Sequence, residues 1–501
     1  MVTPEGVQDE LAVQLCRQLD ADSVVERQAN GDIRISTPVG RLVDTCVVVN
    51  SRFSAPLATM VGLDDRIAAG VFRLVYVFSV GNKWVSVETE IDPKHPIFPS
   101  VTPGVPAAHW YEREVQDLLG LVPAGHPDPR RLVLHDDWPP GVHPLRKDFD
   151  PAIPVPRVEG ARHRFHNLHG EGIVQIPVGP IHAGVIEPGH FRFAAVGEVV
   201  LHLETQLFYS HRGLEKLAEG KSIDHVLQIA ERVCGACAFS NAVSYSQAIE
   251  SLADVALPPR AASLRTLFLE LERLYNHIGD LGNICAGVGF AVGTSQGGRL
   301  KEDLQRLNER LAGHRFLRGI CRIGGVRRDI GEAGIRDAAQ TLRRVESEFR
   351  DFINLIMGKD SFLERLEGTG ILPMQAARDL GAVGVAARAS GVDRDARRDH
   401  PHAAYAPLGL EVPVQSSGDV RARAQVRIEE TYVSFRLAGQ IISGLPDGPL
   451  FTPVHDVPSY AVGIGVTESP RGENVHWVRT GSDNTIDRWR IRSASYCNWP
   501  V

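Results

Sequence analysis

The chain has one Cys-x-x-Cys, Cys234-Gly235-Ala236-Cys237, and no second one anywhere in its 501 residues. Two thiolates at this spacing hold one side of a soft metal ion, but a closed site needs about four ligands, so the pattern supplies half of one. The other cysteines, Cys16, Cys46, Cys285, Cys321 and Cys497, stand alone in the sequence. An odd total of seven, without a charged and then apolar leader pattern over Met1–Asp20, argues against a secreted disulfide scaffold and predicts a reducing, cytosolic setting.

Long basic runs are absent as well. With 54 Lys and Arg against 61 Asp and Glu the net charge is −7, which lacks the electrostatic footprint of a nucleic-acid binder. No apolar run spans a bilayer: the longest weakly polar stretch, Leu281–Thr294, falls short of the roughly 20 residues a spanning helix needs. What is present, 43% hydrophobic and 23% charged residues, is the composition of a globular protein with a core.

Val43–Asn50, Val71–Val80 and Lys83–Ile91 carry the β-branched, alternating signature of strands, and Glu112–Leu119 reads as a helix. Residues 1–150 are therefore predicted to form a small α+β domain. Proline-rich passages at His126–Pro129, Asp136–Pro140 and His143–Pro144 mark an extended tail, and residues 151–171 read as a linker into a second domain over 172–501. There a strand-like passage around Gly172–Val200 gives way to helices. Leu264, Leu267, Leu271, Leu274, Ile278 and Leu281 recur at steps of three and four, placing them on one face of a helix over Arg260–Ile284. Further helices are predicted at Lys301–Leu311, Ala333–Met357, Pro373–Leu380 and Ala422–Ile442. The fold class expected is α+β, a small mixed domain followed by a mainly helical bundle with irregular Gly- and Pro-rich segments packed at its ends.

Cys-Gly-Ala-Cys by itself has three plain explanations: buried structural thiols, a redox pair, or half a zinc site. A redox pair is expected after a strand and at the start of a helix, whereas Ile223–Arg232 reads as helical. Zinc needs a second pair of ligands, and His163, His166 and His169 recur at intervals of three without a cysteine beside them.

The surroundings add to this. Gly179-Pro180-Ile181-His182, Pro188-Gly189-His190-Phe191-Arg192, His211-Arg212-Gly213-Leu214-Glu215 and Arg232-Val233-Cys234-Gly235-Ala236-Cys237 occur in this order. Gly324–Asp329, Asp393–Tyr405, Glu468-Ser469-Pro470-Arg471-Gly472, Arg488–Arg492 and Asn498-Trp499-Pro500 continue the series. The succession resembles the large subunit of membrane-bound group 4 nickel–iron hydrogenases, of the formate hydrogenlyase type, and its relative, the D subunit of respiratory complex I. Glu112, Glu114, Asp117, Gly120, Arg130-Arg131 and His143–Phe149 look like the complex I C subunit, which the formate hydrogenlyase type carries fused to its large subunit.

The resemblance implies a nickel held by four cysteine thiolates, two of them bridging to iron. Cys234 matches a terminal nickel ligand and Cys237 a bridging one. The family's second pair belongs to an Asp-Pro-Cys-x-x-Cys motif beyond the Asn-Trp-Pro segment, and the 501 residues end at Val501 without it. The nickel–iron centre is therefore expected to be incomplete and the chain's own hydrogen chemistry to be lost. Asn241 stands where active hydrogenases carry histidine, able to donate to a sulfur but with no titration near neutrality.

Glu215 matches the carboxylate that passes protons to and from the metal site, against the plainer reading of a surface glutamate paired with Lys216 or Lys221. Arg471 matches an arginine suspended over the metal, and Arg212 belongs to the same motif as Glu215. Asp399 and His400 fall in a segment near the same cavity, and His182 in a loop that lines the quinone cavity of complex I. Cys285, Cys321 and Cys497 read as core thiols.

No cysteine pattern here would hold an iron–sulfur cluster, so the resemblance implies a small partner subunit of complex I B type that carries one. It also implies membrane-embedded partner subunits and a peripheral position on the cytoplasmic face of the membrane. The expected role is electron transfer or coupling. The alternatives are an active hydrogenase with ligands supplied from elsewhere, a quinone-site subunit, and a scaffold.

Overall fold

The computed structural model describes residues 10–161, 163–181 and 187–501. Strands β1 (Val24–Arg27), β2 (Ile33–Ser36), β3 (Leu57–Asp65), β4 (Val71–Val80) and β5 (Lys83–Ile91) form a sheet in the order β1-β2-β5-β4-β3. Its pairs are antiparallel except β2 with β5. Helices α1 (Glu10–Gln18), α2 (Leu42–Arg52), α3 (Arg66–Ala69) and α4 (His109–Leu119) accompany it, and β6 (Ile97–Pro99) pairs with β7 (Val122–Ala124).

The strands expected at Val71–Val80 and Lys83–Ile91 are β4 and β5. The strand expected at Val43–Asn50 is instead the helix α2, because Leu42, Cys46 and Val49 fall on one face and are buried. Packing of that face outweighs the modest helix penalty of its three consecutive valines, Val47 with Val48 and Val49 being the run that reads as a strand.

Between β7 and the next strand the described residues form neither helix nor strand. A three-stranded sheet follows, β8 (Val174–Val178), β9 (His190–Val196) and β10 (Val199–Gln206), ordered β10-β9-β8. The helical part comprises α5 (Leu214–Ala218), α6 (Ile223–Ala230), α7 (Ala238–Leu252), α8 (Pro259–Gly287), α9 (Ala291–Ala312) and α10 (Glu332–Met357). The short pair β11 (Cys321–Arg322) and β12 (Gly325–Val326) precedes α10. Four short helices, α11 (Asp360–Leu366), α12 (Met374–Asp379), α13 (Gly384–Ala389) and α14 (Ala396–Asp399), lead to the long α15 (Val420–Ser443). The leucine face predicted for α8 lies wholly in the core. This helix is buried on its polar side too, where Arg273 pairs with Glu270, Arg265 with Glu250 and His277 with Glu430, and Glu272 accepts from Phe239 N. Among the described residues no helix is long and apolar enough to cross a membrane.

Where irregular segments are expected near the end, the chain forms an antiparallel sheet of β13 (Val462–Ser469), β14 (Gly472–Thr480) and β15 (Ile486–Arg492), followed by α16 (Ala494–Asn498). The pattern hid because these strands bury polar side chains, among them Glu468, Glu473, His476, Arg488, Arg490 and Arg492. Helix α7 lies directly on β13 at Gly463 and Gly465, where a Cβ would come within 2.1 and 1.9 Å of the Ala248 and Ser244 carbonyl oxygens. On their other side β13 and β14 meet the N-terminal sheet, with Val466, Val475 and Trp477 against Val61, Leu63, Val75, Val77 and Trp84. A sheet packed between the cysteine-bearing helix and the N-terminal sheet thus links the two halves of the chain.

Candidate metal centre

Cys234 and Cys237 sit on the connection from α6 to α7, and Cys237 is the residue that opens α7. The loop is held from three sides. Arg212 Nη2 donates to the Val233 carbonyl at 3.0 Å. Asn276 Nδ2 and the Tyr275 hydroxyl, both on α8, donate to the Ala236 carbonyl at 2.6 and 3.2 Å. Glu231 accepts from the Gly319 amide at 2.7 Å.

The free amides at the start of α7 are satisfied by a side chain from another helix. Glu272 accepts from Phe239 N at 2.7 Å and Ser240 N at 3.0 Å, and the Ser240 hydroxyl donates to it as well. Burial pushes the Glu272 carboxyl up to about 7 in spite of these donors, and Cys234 adds to the rise. A carboxylate therefore stands behind the loop where the helix end would otherwise attract an anion.

The two sulfurs are unequal. Cys234 is half-buried and Cys237 is buried. A hydrogen bond from the Cys237 thiol draws Cys234 down to about 7, against burial and with help from the Ala236 amide and Arg471, while Cys237 is pushed well up as the donor. The Ala236 N–H points to Cys234 Sγ at 3.4 Å. Arg471, in the tight turn between β13 and β14, is fixed by Asp280, to which its Nη1 donates, and by Asn276 Oδ1 at 3.5 Å. Asp280 also takes Arg427 Nε at 3.2 Å, and the two arginines hold its carboxyl down to about 2 although it is buried. Arg471 is thus held where its charge acts on both sulfurs.

Asn241, one turn into α7, donates from Nδ2 to the Cys237 carbonyl at 2.7 Å and to Cys237 Sγ at 3.4 Å. Its Oδ1 lies 3.0 Å from His476 Nε2, and the other nitrogen of that ring, Nδ1, receives the Trp489 indole N–H at 3.3 Å. Burial pushes the His476 imidazole down to about 3, so it is neutral.

Glu215, on α5, is buried, and its partners are neither Lys216 nor Lys221. Oε1 accepts from Arg490 Nη1 at 3.1 Å and Ile491 N at 3.0 Å, while Oε2 pairs with Arg488 at 2.8 Å. Burial raises its pKa, but the two guanidiniums prevail and hold it below the usual carboxylate range. Arg490 is shared with Glu114 of α4, at 2.5 and 2.8 Å, and Glu114 also takes the Tyr496 hydroxyl at 2.6 Å. Glu215 reaches the cysteine loop only indirectly, its charge acting on His476.

His400 and Asp399 are not brought to the sulfurs. The His400 ring stacks on Trp84, centroids 4.3 Å apart, with Nε2 2.8 Å from Ser79 Oγ, so it belongs to the contact with the N-terminal sheet. Asp399 accepts from Asp395 N at 3.0 Å and Arg398 Nε at 2.9 Å. His182 lies outside the described residues. Sequence reasoning passed over Glu272, Asn276, Asp280 and His476, and it quoted Glu114 and Trp489 within motifs without giving them a role. Only their polarity inside a leucine-rich helix signalled the first three, and nothing local singled out His476.

Two soft thiolates converge beneath a fixed guanidinium, but no group of three or more His, Cys, Asp or Glu side chains that could hold a metal forms among the described residues. The residues present do not fit a four-thiolate centre by themselves.

Three families match successive parts of the chain. Residues 37–154 match the respiratory-chain NADH dehydrogenase 30 Kd subunit, residues 212–281 the nickel-dependent hydrogenases, and residues 288–462 the respiratory-chain NADH dehydrogenase 49 Kd subunit. The chain is 37% identical over 481 residues to formate hydrogenlyase subunit 5 of Escherichia coli, covering 95% of this chain and 84% of that protein. It is also 37% identical over 482 residues to hydrogenase-4 component G of Escherichia coli, again covering 95% and 84%. A subunit of the solved membrane-bound sulfane sulfur reductase, an archaeal respiratory membrane complex, superposes with a TM-score of 0.61 at 27% identity, covering 65% of this chain and 90% of that one.

Proposed function

The chain belongs to the family of formate hydrogenlyase-type large subunits of complex I-related membrane-bound hydrogenases, and on that premise we propose that it serves as an electron-transfer and coupling subunit built around half a nickel site. Residues 1–150 and 172–501 act as its two domains, joined by 151–171. It sits on the cytoplasmic face of the membrane against a small subunit that carries an iron–sulfur cluster, and against membrane-embedded subunits. Electrons come from that cluster, since this chain has no cysteine set to hold one.

The observation that carries the reading is the pairing of Cys234 and Cys237 within the field of Arg471. Glu215 supports it. A proton carrier works best with a pKa near the working pH, whereas two arginines keep this carboxylate ionised. One solved relative of the same fold is named for sulfane sulfur rather than hydrogen.

A second reading, a hydrogenase whose other ligands come from outside these residues, draws on the Asn241 amide aimed at Cys237 Sγ. Elemental analysis of nickel and iron on the complex purified with its partners, beside the Cys234→Ser, Cys237→Ser variant, separates the two. Absence of nickel from both is the expected result. A stoichiometric nickel that disappears in the variant overturns the half-site reading in favour of the second.

A further inference from the structure

His476 and Trp489 stand on neighbouring strands, β14 and β15, in the sheet beneath α7, and neither touches a sulfur. Both are buried, and their hydrogen bonds form a line that ends at Cys237.

An indole N–H can only donate, so His476 Nδ1, which faces it at 3.3 Å, must accept. The neutral ring then carries its proton on Nε2, and Nε2 donates to Asn241 at 3.0 Å. The Asn241 atom facing that N–H must be the carbonyl oxygen. Its NH₂ is thereby turned the other way, toward the Cys237 carbonyl at 2.7 Å and Cys237 Sγ at 3.4 Å. Without His476 only the Cys237 carbonyl is left to set the direction of the amide, and a turned amide would bring its carbonyl oxygen against an electron-rich sulfur.

We propose that His476 and Trp489 are positioning residues that lock the Asn241 amide so that it donates to the Cys237 sulfur when that sulfur holds a soft metal ion. An asparagine has two nearly isosteric ends, and here the Cys237 carbonyl in front and the His476 N–H behind together decide which one faces the sulfur. The proposal extends the reading of Cys237 as a ligand sulfur, and it holds whether two further thiolates are supplied or not.

The test uses the full-length chain and Cd(II), a soft ion that two thiolates suffice to hold, followed by its sulfur-to-metal charge-transfer absorption. Cys234→Ser, Cys237→Ser defines the signal from the pair. His476→Phe keeps a ring beside Trp489 but loses both hydrogen bonds, and is expected to weaken Cd(II) by about 10- to 100-fold, the usual effect of removing a residue behind a ligand. His476→Gln, which can accept from Trp489 and donate to Asn241, is expected to stay within about threefold of the wild type. Trp489→Phe removes only the N–H and falls between them, so the comparison survives if His476→Phe does not fold. The proposal is overturned if His476→Phe binds Cd(II) as the wild type does, if His476→Gln is as weak as His476→Phe at an equal melting temperature, or if the wild-type pair gives no signal. None of these results depends on the nickel content of the native complex, so a failure here and a failure of the half-site reading remain distinct.

Discussion

Arg490 and Glu114 meet in the interior through two hydrogen bonds, Nη1 to Oε1 at 2.5 Å and Nη2 to Oε2 at 2.8 Å. Since the same Nη1 lies 3.1 Å from Glu215, one guanidinium of the C-terminal sheet joins α4 of the N-terminal part to α5 of the helical part. Removing one partner of a buried pair strands the other, at a cost of about 3–5 kcal/mol. Glu114→Ala is therefore expected to lower the thermal midpoint markedly, and Glu114→Gln, which keeps an acceptor, to lower it less. Glu114→Leu combined with Arg490→Met should be milder than the two single losses added together. Calorimetry of these variants and of the two single losses reads this, and strict additivity would mean that the two residues do not act as a pair.

Acid should reveal the buried histidines. Burial pushes His277 down to about 4 against the pull of Glu430, which faces its Nε2 at 2.7 Å, while Arg273 and Arg427 oppose protonation. Its Nδ1 has no hydrogen-bond partner among the described residues, so protonation would bury an unpaired N–H. The unfolded chain takes up this proton near pH 6.5 and the folded chain only near 4. The stability due to a neutral His277 is accordingly complete above about pH 6.5 and lost as the pH falls toward 4, about 3 kcal/mol in all. Glu272 and Glu468, raised to about 7 by burial, act in the opposite sense over part of that window. The informative quantity is thus a difference. The thermal midpoint of His277→Gln should fall less steeply between pH 6.5 and 4 than that of the wild type, and parallel profiles would refute the assignment.

Much of this was legible in the sequence wherever side-chain period and burial agree. The leucines of α8 report one face against the core, and the two faces of β4 report two, Phe72, Leu74, Tyr76 and Phe78 on one side and Val75 and Val77 on the other. The cysteine loop and Arg471 were legible through ordered motifs, which fix residue type and spacing together. What stayed hidden lies where burial and polarity disagree. β14 and β15 place His476, Arg488, Arg490 and Arg492 in the interior, paired across the sheet with residues distant in sequence, and to a reading based on hydropathy they resemble a loop. The partners of Glu215 were misjudged for the same reason: its nearest lysine in sequence turns to Glu219 at 3.0 Å, and the arginines that hold it come more than 270 residues later.

Cysteine reactivity gives a direct reading of the loop. Cys16 is exposed and Cys234 half-buried with its pKa drawn down to about 7, whereas Cys46, Cys237, Cys285, Cys321 and Cys497 are buried. Iodoacetamide at pH 7 should modify Cys16 and Cys234 in the folded chain and spare the others, as peptide mass spectrometry would show. Arg471→Ala removes a positive charge that favours the Cys234 thiolate, and labelling of Cys234 at this pH should slow by about 3- to 10-fold while Cys16 is unchanged. Equal rates in the two proteins would place the arginine's field elsewhere.

Arg471 depends in turn on a glycine far from it in sequence. Gly384 opens α13 at a φ of +65°, and a Cβ there would lie 2.4 Å from Gly472 Cα and 2.7 Å from the Arg471 carbonyl oxygen. Both contacts are backbone, so Gly384→Ala cannot be accommodated by turning a side chain; the β13–β14 turn itself must move. To that displacement is added about 1–2 kcal/mol for holding alanine in the left-handed region. Gly235, between the two cysteines, is the contrasting case: a Cβ there would have nothing within 4 Å, and its φ is not positive. Gly235→Ala should therefore leave both the melting temperature and the Cys234 labelling rate near those of the wild type, although it lies beside the sulfurs. Gly384→Ala should lower the melting temperature and slow Cys234 labelling in the manner of Arg471→Ala, because it carries the guanidinium away from Asp280 and the thiolate. If Gly384→Ala melts lower but labels at the wild-type rate, the turn has moved without Arg471, and the arginine is held by Asp280 rather than by the turn that bears it.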